Sequence, residues 1–406
     1  MKPFLCFLVL ILFSFSGYAE HVITTIDITQ LVTFPGPQLF DPIALRNTNK
    51  NEWLVIWTEA SNGKLRTYGR LASNNGDLSS SKKLKEYKPL PLFTTPMDAL
   101  YDPDHDIYML LLNTSNGVLA QAFQPTLARK GTAKNLSAQF KPLEFFFPQI
   151  EYVTDTRIFN VYGGTTEKGC VNCAQDVVTF NTDETGKVIS APGQIVTGVI
   201  RSILELDATQ NPVTKDTLLL IRGGNDPDLV AYVAKPDGTL LKNVALKISP
   251  NNPSAQSIRG SAAFDLSGAG IISWTLLSSS DRSQQTKFRG VKANQTQLGK
   301  TKKLAKGGFP PDFSFYQATA IVFDELHNEY VIIWHDLGVL KGIRVDVTGK
   351  PIGNVFILAN VNVSPDGAIT DISVAYDSAS GIMLAVWAEH STFSAEGQVR
   401  AVMFEK

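Results

Sequence analysis

Cysteine and histidine are scarce in this sequence: its 406 residues include three of the first and five of the second. Neither the His-Glu-x-x-His motif of zinc hydrolases nor the Gly-x-Ser-x-Gly motif of serine hydrolases is present. Lys and Arg (37) nearly balance Asp and Glu (38), and no basic block stands out, which argues against nucleic acid as a partner. We therefore expect no cofactor, no metal and no nucleic-acid ligand.

The only long apolar run lies at the start of the chain, from Leu5 to Phe15. It follows Lys2 and precedes Gly17-Tyr18-Ala19, the small-x-small pattern of a cleavage site, and it is short for a membrane span of about 20 residues. We interpret residues 1–19 as a signal peptide and residues 20–406 as one exported domain without membrane insertion. The expected location is extracellular, or periplasmic if the source is bacterial and the protein is retained.

A motif of strands and turns returns about every 55 residues, a period typical of propellers and solenoids. An apolar residue and Asp close one strand, and the next strand ends in an aromatic residue such as Trp334 or Trp387. The Asp is expected to accept hydrogen bonds from backbone N–H groups of the following turn. We call this closing pair the mark of a unit; unit one has Asn in the position of Asp. The marks of the seven units are Arg46-Asn47, Tyr101-Asp102, residues 152–155, Leu206-Asp207, Phe264-Asp265, Phe323-Asp324 and Tyr376-Asp377.

The second strand of each unit is apolar nearly throughout, which suits strands covered on both faces. Its terminal aromatic residue is expected to pack between neighbouring units, with stacking on a ligand as the alternative. Glycine-bearing hairpin turns are predicted after the third strands. They are Asn75-Gly76, Lys130-Gly131, Thr185-Gly186, Asp237-Gly238 and Thr348-Gly349.

The two ends of the chain complete the pattern. Unit seven has no fourth strand after residues 398–404, and a spare strand-like segment, residues 22–31, precedes unit one. The sequence thus resembles an all-β, seven-bladed β-propeller with four-stranded antiparallel blades, in which the N-terminal strand completes the last blade and closes the ring. It lacks the repeat motifs of WD, kelch and sialidase propellers, so the resemblance implies an architecture and no specific family.

Six residues before each mark, one position per blade is expected at the mouth of the central channel. Arg201 and Arg259 would lie on neighbouring blades and could clamp an anion. Asp41 and Asp371 form a second neighbouring pair, and Asp98 could face the same way by strand alternation. These carboxylates could bind a cation or act as acid and base. The alternative is a water-filled channel lined by compensating charges.

Polar residues also follow several second strands: Glu59, Arg222, the pair His335-Asp336 and the pair Glu389-His390. A histidine beside a carboxylate can act as a general base or a metal ligand. Histidines in exposed loops are more often simply solvated, and that interpretation stays open here.

Two further groups have local interpretations. Cys170 and Cys173 are expected to form a small disulfide that stiffens a loop of unit three, with a redox role as the alternative. Asp102, Asp104 and Asp106 alternate like the start of a calcium loop but lack its downstream Gly and Glu, so a solvated turn is favoured. If the source is eukaryotic, the sequons Asn113, Asn135, Asn294 and Asn362 are candidate glycosylation sites, with Asn113 and Asn294 expected to be exposed.

The sequence favours binding over catalysis. The leading hypothesis is an exported protein that presents one propeller face to a glycan, peptide or protein, because the loops of units three, five and seven are long and no catalytic motif is present. The alternative is a hydrolase or lyase acting on a polysaccharide or other anionic substrate, with an arginine clamp and a carboxylate acid and base. An architectural role as an assembly platform is compatible with the same features.

Overall fold

A computed structural model describes most of the chain in seventeen segments. They are residues 21–28, 38–61, 64–87, 97–114, 117–141, 143–167, 174–191, 193–201, 203–223, 229–242, 245–249, 255–278, 283–308, 319–336, 338–360, 367–391 and 397–406. Among these residues no helix is long and apolar enough to cross a membrane.

The described residues form seven four-stranded antiparallel sheets, the blades of a propeller. The first strand, β1 (His21–Asp27), belongs to the last blade. Blades one to four contain, in chain order, β2 (Gln38–Asn47), β3 (Glu52–Ser61), β4 (Lys64–Ser73), β5 (Lys82–Tyr87); β6 (Met97–Asp102), β7 (Ile107–Thr114), β8 (Gly117–Phe123), β9 (Arg129–Asn135); β10 (Glu144–Val153), β11 (Ile158–Thr166), β12 (Ala174–Thr182), β13 (Gly193–Arg201); β14 (Ile203–Gln210), β15 (Thr217–Gly223), β16 (Leu229–Ala234) and β17 (Leu246–Lys247).

Blades five to seven follow the same scheme. Their strands are β18 (Ala255–Phe264), β19 (Gly270–Ser278), β20 (Ser283–Val291), β21 (Lys302–Gly308); β22 (Thr319–Asp324), β23 (Glu329–Asp336), β24 (Val339–Asp346), β25 (Pro351–Asn360); β26 (Gly367–Tyr376), β27 (Met383–Ser391) and β28 (Gly397–Glu405). One 3-10 helix, Leu136–Gln139, follows β9.

The first strand of every blade contacts the first strands of both neighbouring blades, so these seven strands form the inner wall of the ring. The last sheet has the order β1-β28-β27-β26, with β1 antiparallel to β28 from His21 opposite Glu405 to Asp27 opposite Arg400. The predicted closure of the ring by the N-terminal strand is therefore confirmed. It removes an exposed edge from the third strand of blade seven.

The core lies between the blades. Strands β7 and β15 are buried along their whole length, as the unbroken apolar runs predict. The terminal aromatic residues Trp57, Trp274, Trp334 and Trp387 are buried and belong to clusters that join adjacent blades. The interpretation of these rings as packing between blades is confirmed for the four tryptophans.

The turns between the first and second strands lie on one face, called here the turn face. The acidic marks accept backbone hydrogen bonds there as predicted: Asp102 from the N–H groups of Asp104 and His105, and Asp324 from that of His327. In blade four the mark is misplaced, because Asn211, and not Asp207, accepts the turn N–H groups of Val213 and Thr214.

A polar side-chain hydrogen bond spans each of the seven interfaces between neighbouring blades. The pairs are Arg46–Asp377, Asn47–Tyr108, Asp104–Tyr152, Tyr162–Thr217, Asn211–Gly268, Asp265–Tyr330 and Asp324–Tyr376.

The predicted glycine turns are confirmed at Gly76, Gly186, Gly238 and Gly349, which all have positive φ. Gly131 also has positive φ but lies inside β9, so the turn predicted at Lys130-Gly131 is wrong; the turn ends before Arg129.

Candidate functional site

The loops after the second strands and between blades lie on the opposite face, called here the loop face. Three predicted site residues lie on inner strands near it, each at an irregularity of the strand pairing. Asp41 lies in β2 between Phe40 and Ile43, Arg259 in β18 between Ile258 and Gly260, and Asp371 in β26 between Thr370 and Ile372. Bulges of this kind change the direction of a side chain and are common beside active sites. The side chains of the three residues lie outside the described part, so their ligand role stays a prediction.

The predicted position of Arg201 in the inner wall is wrong. Arg201 ends β13, the outermost strand of blade three, where it pairs with Ala174. Counting six residues back from the true turn residue, Asn211, gives Glu205 as the inner-wall position of blade four. Glu205 forms an ion pair of 3.1 Å with Arg222, which is mostly buried. Arg201 and Arg259 are therefore not equivalent positions on neighbouring inner strands, and an arginine clamp between them loses its basis.

Asp98 does lie on the inner wall, in β6 of blade two. Its Oδ1 accepts the N–H of Ala99 (2.8 Å), and its Oδ2 accepts the N–H of Ile150 (2.7 Å) on the inner strand of blade three. Burial raises the pKa of Asp98 from its ordinary value to about 7, although these two hydrogen bonds oppose the change. This carboxyl group therefore titrates near neutral pH.

Two more acidic residues stand on the next inner strands, Glu151 in β10 and Asp207 in β14. Burial raises the pKa of Glu151 well above its ordinary value, and the charges of Asp98 and Asp207 raise it further. A backbone hydrogen bond from Gln210 opposes the change. Three consecutive inner strands thus carry three carboxyl groups close enough to influence one another, and the environment of Glu151 favours its protonated form. We call Asp98, Glu151 and Asp207 the inner-wall carboxyls.

The inner-wall carboxyls also connect blades. Asp98 bonds blade two to blade three, and Glu151 bonds blade three to blade four. Elsewhere hydroxyl groups do the same work: Thr209 donates to the carbonyl of Ala262, and Ser373 accepts from the N–H of Ala44. Hydroxyl groups are sufficient to connect neighbouring blades. The carboxyl groups of blades two to four have chemical properties that this connection does not need. They can hold a proton, release it, and accept hydrogen bonds from ligand hydroxyls.

The charge on Asp98 is expected to make stability depend on pH. A carboxyl whose folded pKa of about 7 exceeds its ordinary 3.8 stabilises the fold fully below pH 4, and this contribution is lost as pH rises through 7. The variant Asp98→Asn keeps an acceptor for Ile150 and cannot ionise. Between pH 5 and 7, wild type is expected to lose about 1 kcal/mol of unfolding free energy per pH unit relative to this variant. Thermal unfolding at both pH values measures the difference, and parallel pH profiles would rule it out.

The histidine–carboxylate pairs behave differently from solvated loop residues. Strand β23 continues to Asp336, so His335 is buried, with its Nε2 accepting the N–H of Gly338 (2.8 Å). Burial lowers the pKa of His335 to about 4, so the ring is neutral at pH 7. Asp336 binds Lys341 at 2.7 Å. The exposed loop predicted for His335 is therefore wrong.

Glu389 is fully buried, and three donors of the protein surround its carboxylate. Its Oε1 accepts from Trp387 (2.8 Å) and Arg400 (3.2 Å), and its Oε2 accepts from Gln398 (2.7 Å). His390 lies on β27 opposite Gly397, and its side chain is outside the described part.

Within the described segments one group of potential metal ligands comes together, Asp324, His327 and Glu329 on the turn face. Arg344 forms ion pairs with both carboxylates, and Lys406 forms another with Glu329 at 3.1 Å. These cations already supply the positive charge that a metal would bring, so the group fits an ion-pair network better than a metal site.

The candidate calcium turn is likewise closed by the protein's own donors. Asp104 accepts from the Tyr152 hydroxyl (2.6 Å), Asp106 from the Tyr101 hydroxyl (2.7 Å), and Asp102 contacts His105 Nδ1 at 2.6 Å. This agrees with a turn rather than a calcium loop.

The remaining predicted sites separate by exposure. Asn113 is 1% exposed within β7, so its expected exposure is wrong, and glycosylation would require the strand to open. Asn135 and Asn294 are exposed. Asn362, Cys170 and Cys173 lie outside the described residues, so the disulfide remains a prediction.

A scan against protein-family models and a search of curated proteins give no match. Solved propellers match most of the chain. The Dos1 propeller has 11% identity and a TM-score of 0.52, with 96% of each chain covered. An α-L-arabinofuranosidase from Fusarium graminearum, in complex with an iminosugar inhibitor, has 9% identity and a TM-score of 0.52, covering 95% of this chain and 97% of that one. An α-L-arabinanase from Penicillium chrysogenum, complexed with arabinobiose, has 8% identity and a TM-score of 0.50, covering 93% and 98%. At such identities the likeness shows the propeller fold alone.

Proposed function

We propose that this protein is an exported propeller that binds a carbohydrate at the channel mouth, over the inner-wall carboxyls. The observation that carries the proposal is the presence of Asp98, Glu151 and Asp207 on three consecutive inner strands. A protonated carboxyl donates a hydrogen bond and a carboxylate accepts several, which matches the mixed donors and acceptors of sugar hydroxyls. Export rests on the signal-peptide pattern of residues 1–19.

Two further observations support a carbohydrate over an anion. Arg201, one half of the arginine clamp predicted for an anionic ligand, lies on the outer strand of blade three and not on an inner strand. Two of the similar propellers are described as an α-L-arabinofuranosidase and an α-L-arabinanase, the second complexed with arabinobiose. Their low identity makes them a guide to the choice of probes, and the assignment itself depends on the inner-wall carboxyls.

Calorimetric titration with a panel of neutral oligosaccharides, arabinobiose and longer arabino-oligosaccharides included, tests the proposal. Because a hydrogen bond to a charged group contributes about 1.5–3 kcal/mol, Asp207→Asn is expected to weaken binding at least about tenfold. A hydrogen bond between neutral groups contributes about 0.5–1.5 kcal/mol, so Glu151→Gln is expected to weaken binding about twofold or more. Glu325→Gln, on an exposed turn of the opposite face, is the matched control and should leave affinity unchanged. Equal affinities of all three variants and wild type would place the ligand elsewhere.

Hydrolysis is a second candidate function, favoured by the raised pKa of Glu151 beside other carboxyl groups. A carboxyl group with a raised pKa suits the role of general acid, while a nearby carboxylate could serve as base or nucleophile. Reducing-end release from the bound oligosaccharide tests this function. Loss of release in Glu151→Gln would support it, whereas tight binding without any product would leave binding as the function.

A further inference from the structure

A recurring motif ends the second strand in three consecutive blades. A tryptophan is followed two residues later by an acid: Trp57 and Glu59 in blade one, Trp334 and Asp336 in blade six, and Trp387 and Glu389 in blade seven. The residue opposite the tryptophan on the third strand differs. It is Lys341 in blade six and Arg400 in blade seven, but Tyr68 in blade one. The three copies therefore provide an internal comparison.

In blades six and seven the protein supplies its own cation to the motif. Lys341 Nζ lies 2.7 Å from Asp336 Oδ2. The guanidinium of Arg400 lies 5.7 Å from the ring centre of Trp387 and 3.2 Å from Glu389 Oε1. A carboxylate beside a tryptophan is thus a cation site in both blades, stabilised by charge pairing and, in blade seven, by a cation–π contact.

Blade one has the acid and the aromatic residue, but the residue opposite its tryptophan is not a cation. Tyr68 stacks on Trp57 at 5.6 Å with an interplanar angle of 17°. Glu59 accepts one hydrogen bond, from Trp57 Nε1 at 3.1 Å, and among the described residues nothing donates to its other oxygen. Burial raises the pKa of Glu59, although the hydrogen bond from Trp57 and the charge of Arg66 oppose the change.

One side chain could close the site, but it is held elsewhere. Arg66 lies opposite Glu59 on β4, yet its Nε binds Glu86 at 3.0 Å. Glu86 also binds Lys64 at 2.8 Å and Lys83 at 3.2 Å. This exposed network keeps the Arg66 guanidinium on Glu86, and Glu59 retains an open oxygen beside the half-buried ring of Tyr68.

We propose that Glu59, with Trp57 and Tyr68, binds an arginine side chain of a peptide ligand at the rim between blades one and seven. The guanidinium would donate to the open carboxylate oxygen of Glu59 and lie against the Tyr68 ring, as Arg400 does with Glu389 and Trp387. The negative charge of the Glu59 carboxylate selects a cationic ligand. A guanidinium suits a carboxylate better than an ammonium does, because it offers two donors in one plane. This site is separate from the inner-wall carboxyls.

Calorimetric titration of the mature chain with N-acetyl-arginine amide is the direct test. The matched control ligand is the corresponding citrulline compound, which has a similar shape and no charge. The arginine compound is expected to bind and the citrulline compound to bind at least tenfold more weakly. Glu59→Gln, which keeps an acceptor for the indole N–H, should lose the arginine compound while unfolding at an unchanged temperature. Equal binding of the two compounds, or undiminished binding by Glu59→Gln, would overturn the proposal.

A second pair of variants tests the internal comparison. Tyr68→Arg combined with Arg66→Gln reproduces the residues of blade seven and is expected to abolish binding of the arginine compound and to raise the unfolding temperature. Glu86→Gln releases Arg66 towards Glu59 and should weaken binding although Glu86 itself does not touch the ligand. Undiminished binding in the double variant would contradict the site.

Discussion

In a protein expressed from residue 20, removal of residues 20–28 is expected to lower the free energy of unfolding by about 5 kcal/mol or more. The deletion takes away β1, which buries Ile26 and adds six residue pairs to blade seven, together with Ile28, whose N–H bonds the carbonyl of Val399. Two buried isoleucines contribute about 1.5–3 kcal/mol each, and the lost backbone hydrogen bonds about 1 kcal/mol each. The deletion also exposes the edge of β28, so the shortened chain is expected to aggregate. Urea unfolding and light scattering measure both effects.

A synthetic peptide of residues 20–31 should restore stability when added to the shortened chain. The same peptide with Ile26→Asn and Ile28→Asn keeps the backbone pairing and loses the buried side chains, so it serves as the control. Equal stability of the full and shortened chains, or equal rescue by both peptides, would contradict ring closure by β1.

Arg46→Met is expected to cost about 3–5 kcal/mol of unfolding free energy. Arg46 joins blade one to blade seven through an ion pair of 2.7 Å with Asp377, and the two side chains are only 6% and 3% exposed. Its guanidinium also lies 4.6 Å from the ring centre of Trp53. The variant leaves Asp377 buried without its cation, and the cost of an unpaired buried charge far exceeds that of a lost surface pair.

Two comparison variants make this result specific. Lys64→Met breaks an exposed ion pair with Glu86 and should cost no more than about 1 kcal/mol. Arg46→Met combined with Asp377→Asn removes both charges and is expected to recover most of the loss, measured by urea unfolding. Similar costs for Arg46→Met and Lys64→Met would show that the buried pair does not hold the ring closed.

Most of the fold could be predicted because the repeated residues are those that form the turns between the strands. An Asp at the end of an inner strand caps a turn, and the structure confirms this at Asp102 and Asp324. The failure in blade four has the same origin. Leu206-Asp207 imitates the mark inside a strand that continues to Gln210, while Asn211 caps the turn, and the error of four residues moved Arg201 into the inner wall.

The candidate site was harder to predict because its residues depend on strand ends and on neighbours. His335 was predicted to lie in a loop because nothing in the sequence indicates that β23 continues past Trp334 to Asp336. Glu151 was missed because blade three lacks a clear mark, although a carboxylate between the apolar residues Ile150 and Tyr152 was a usable signal. The open state of Glu59 follows from Tyr68, which only strand pairing brings opposite Trp57.

A crystal structure of residues 20–406 soaked with arabinobiose or a longer arabino-oligosaccharide tests the proposed carbohydrate site most directly. Sugar hydroxyls are expected within hydrogen-bonding distance of Asp98, Glu151 or Asp207 at the channel mouth. An ordered sugar elsewhere on the protein, with these three carboxyls bonded only to protein and water, would contradict it.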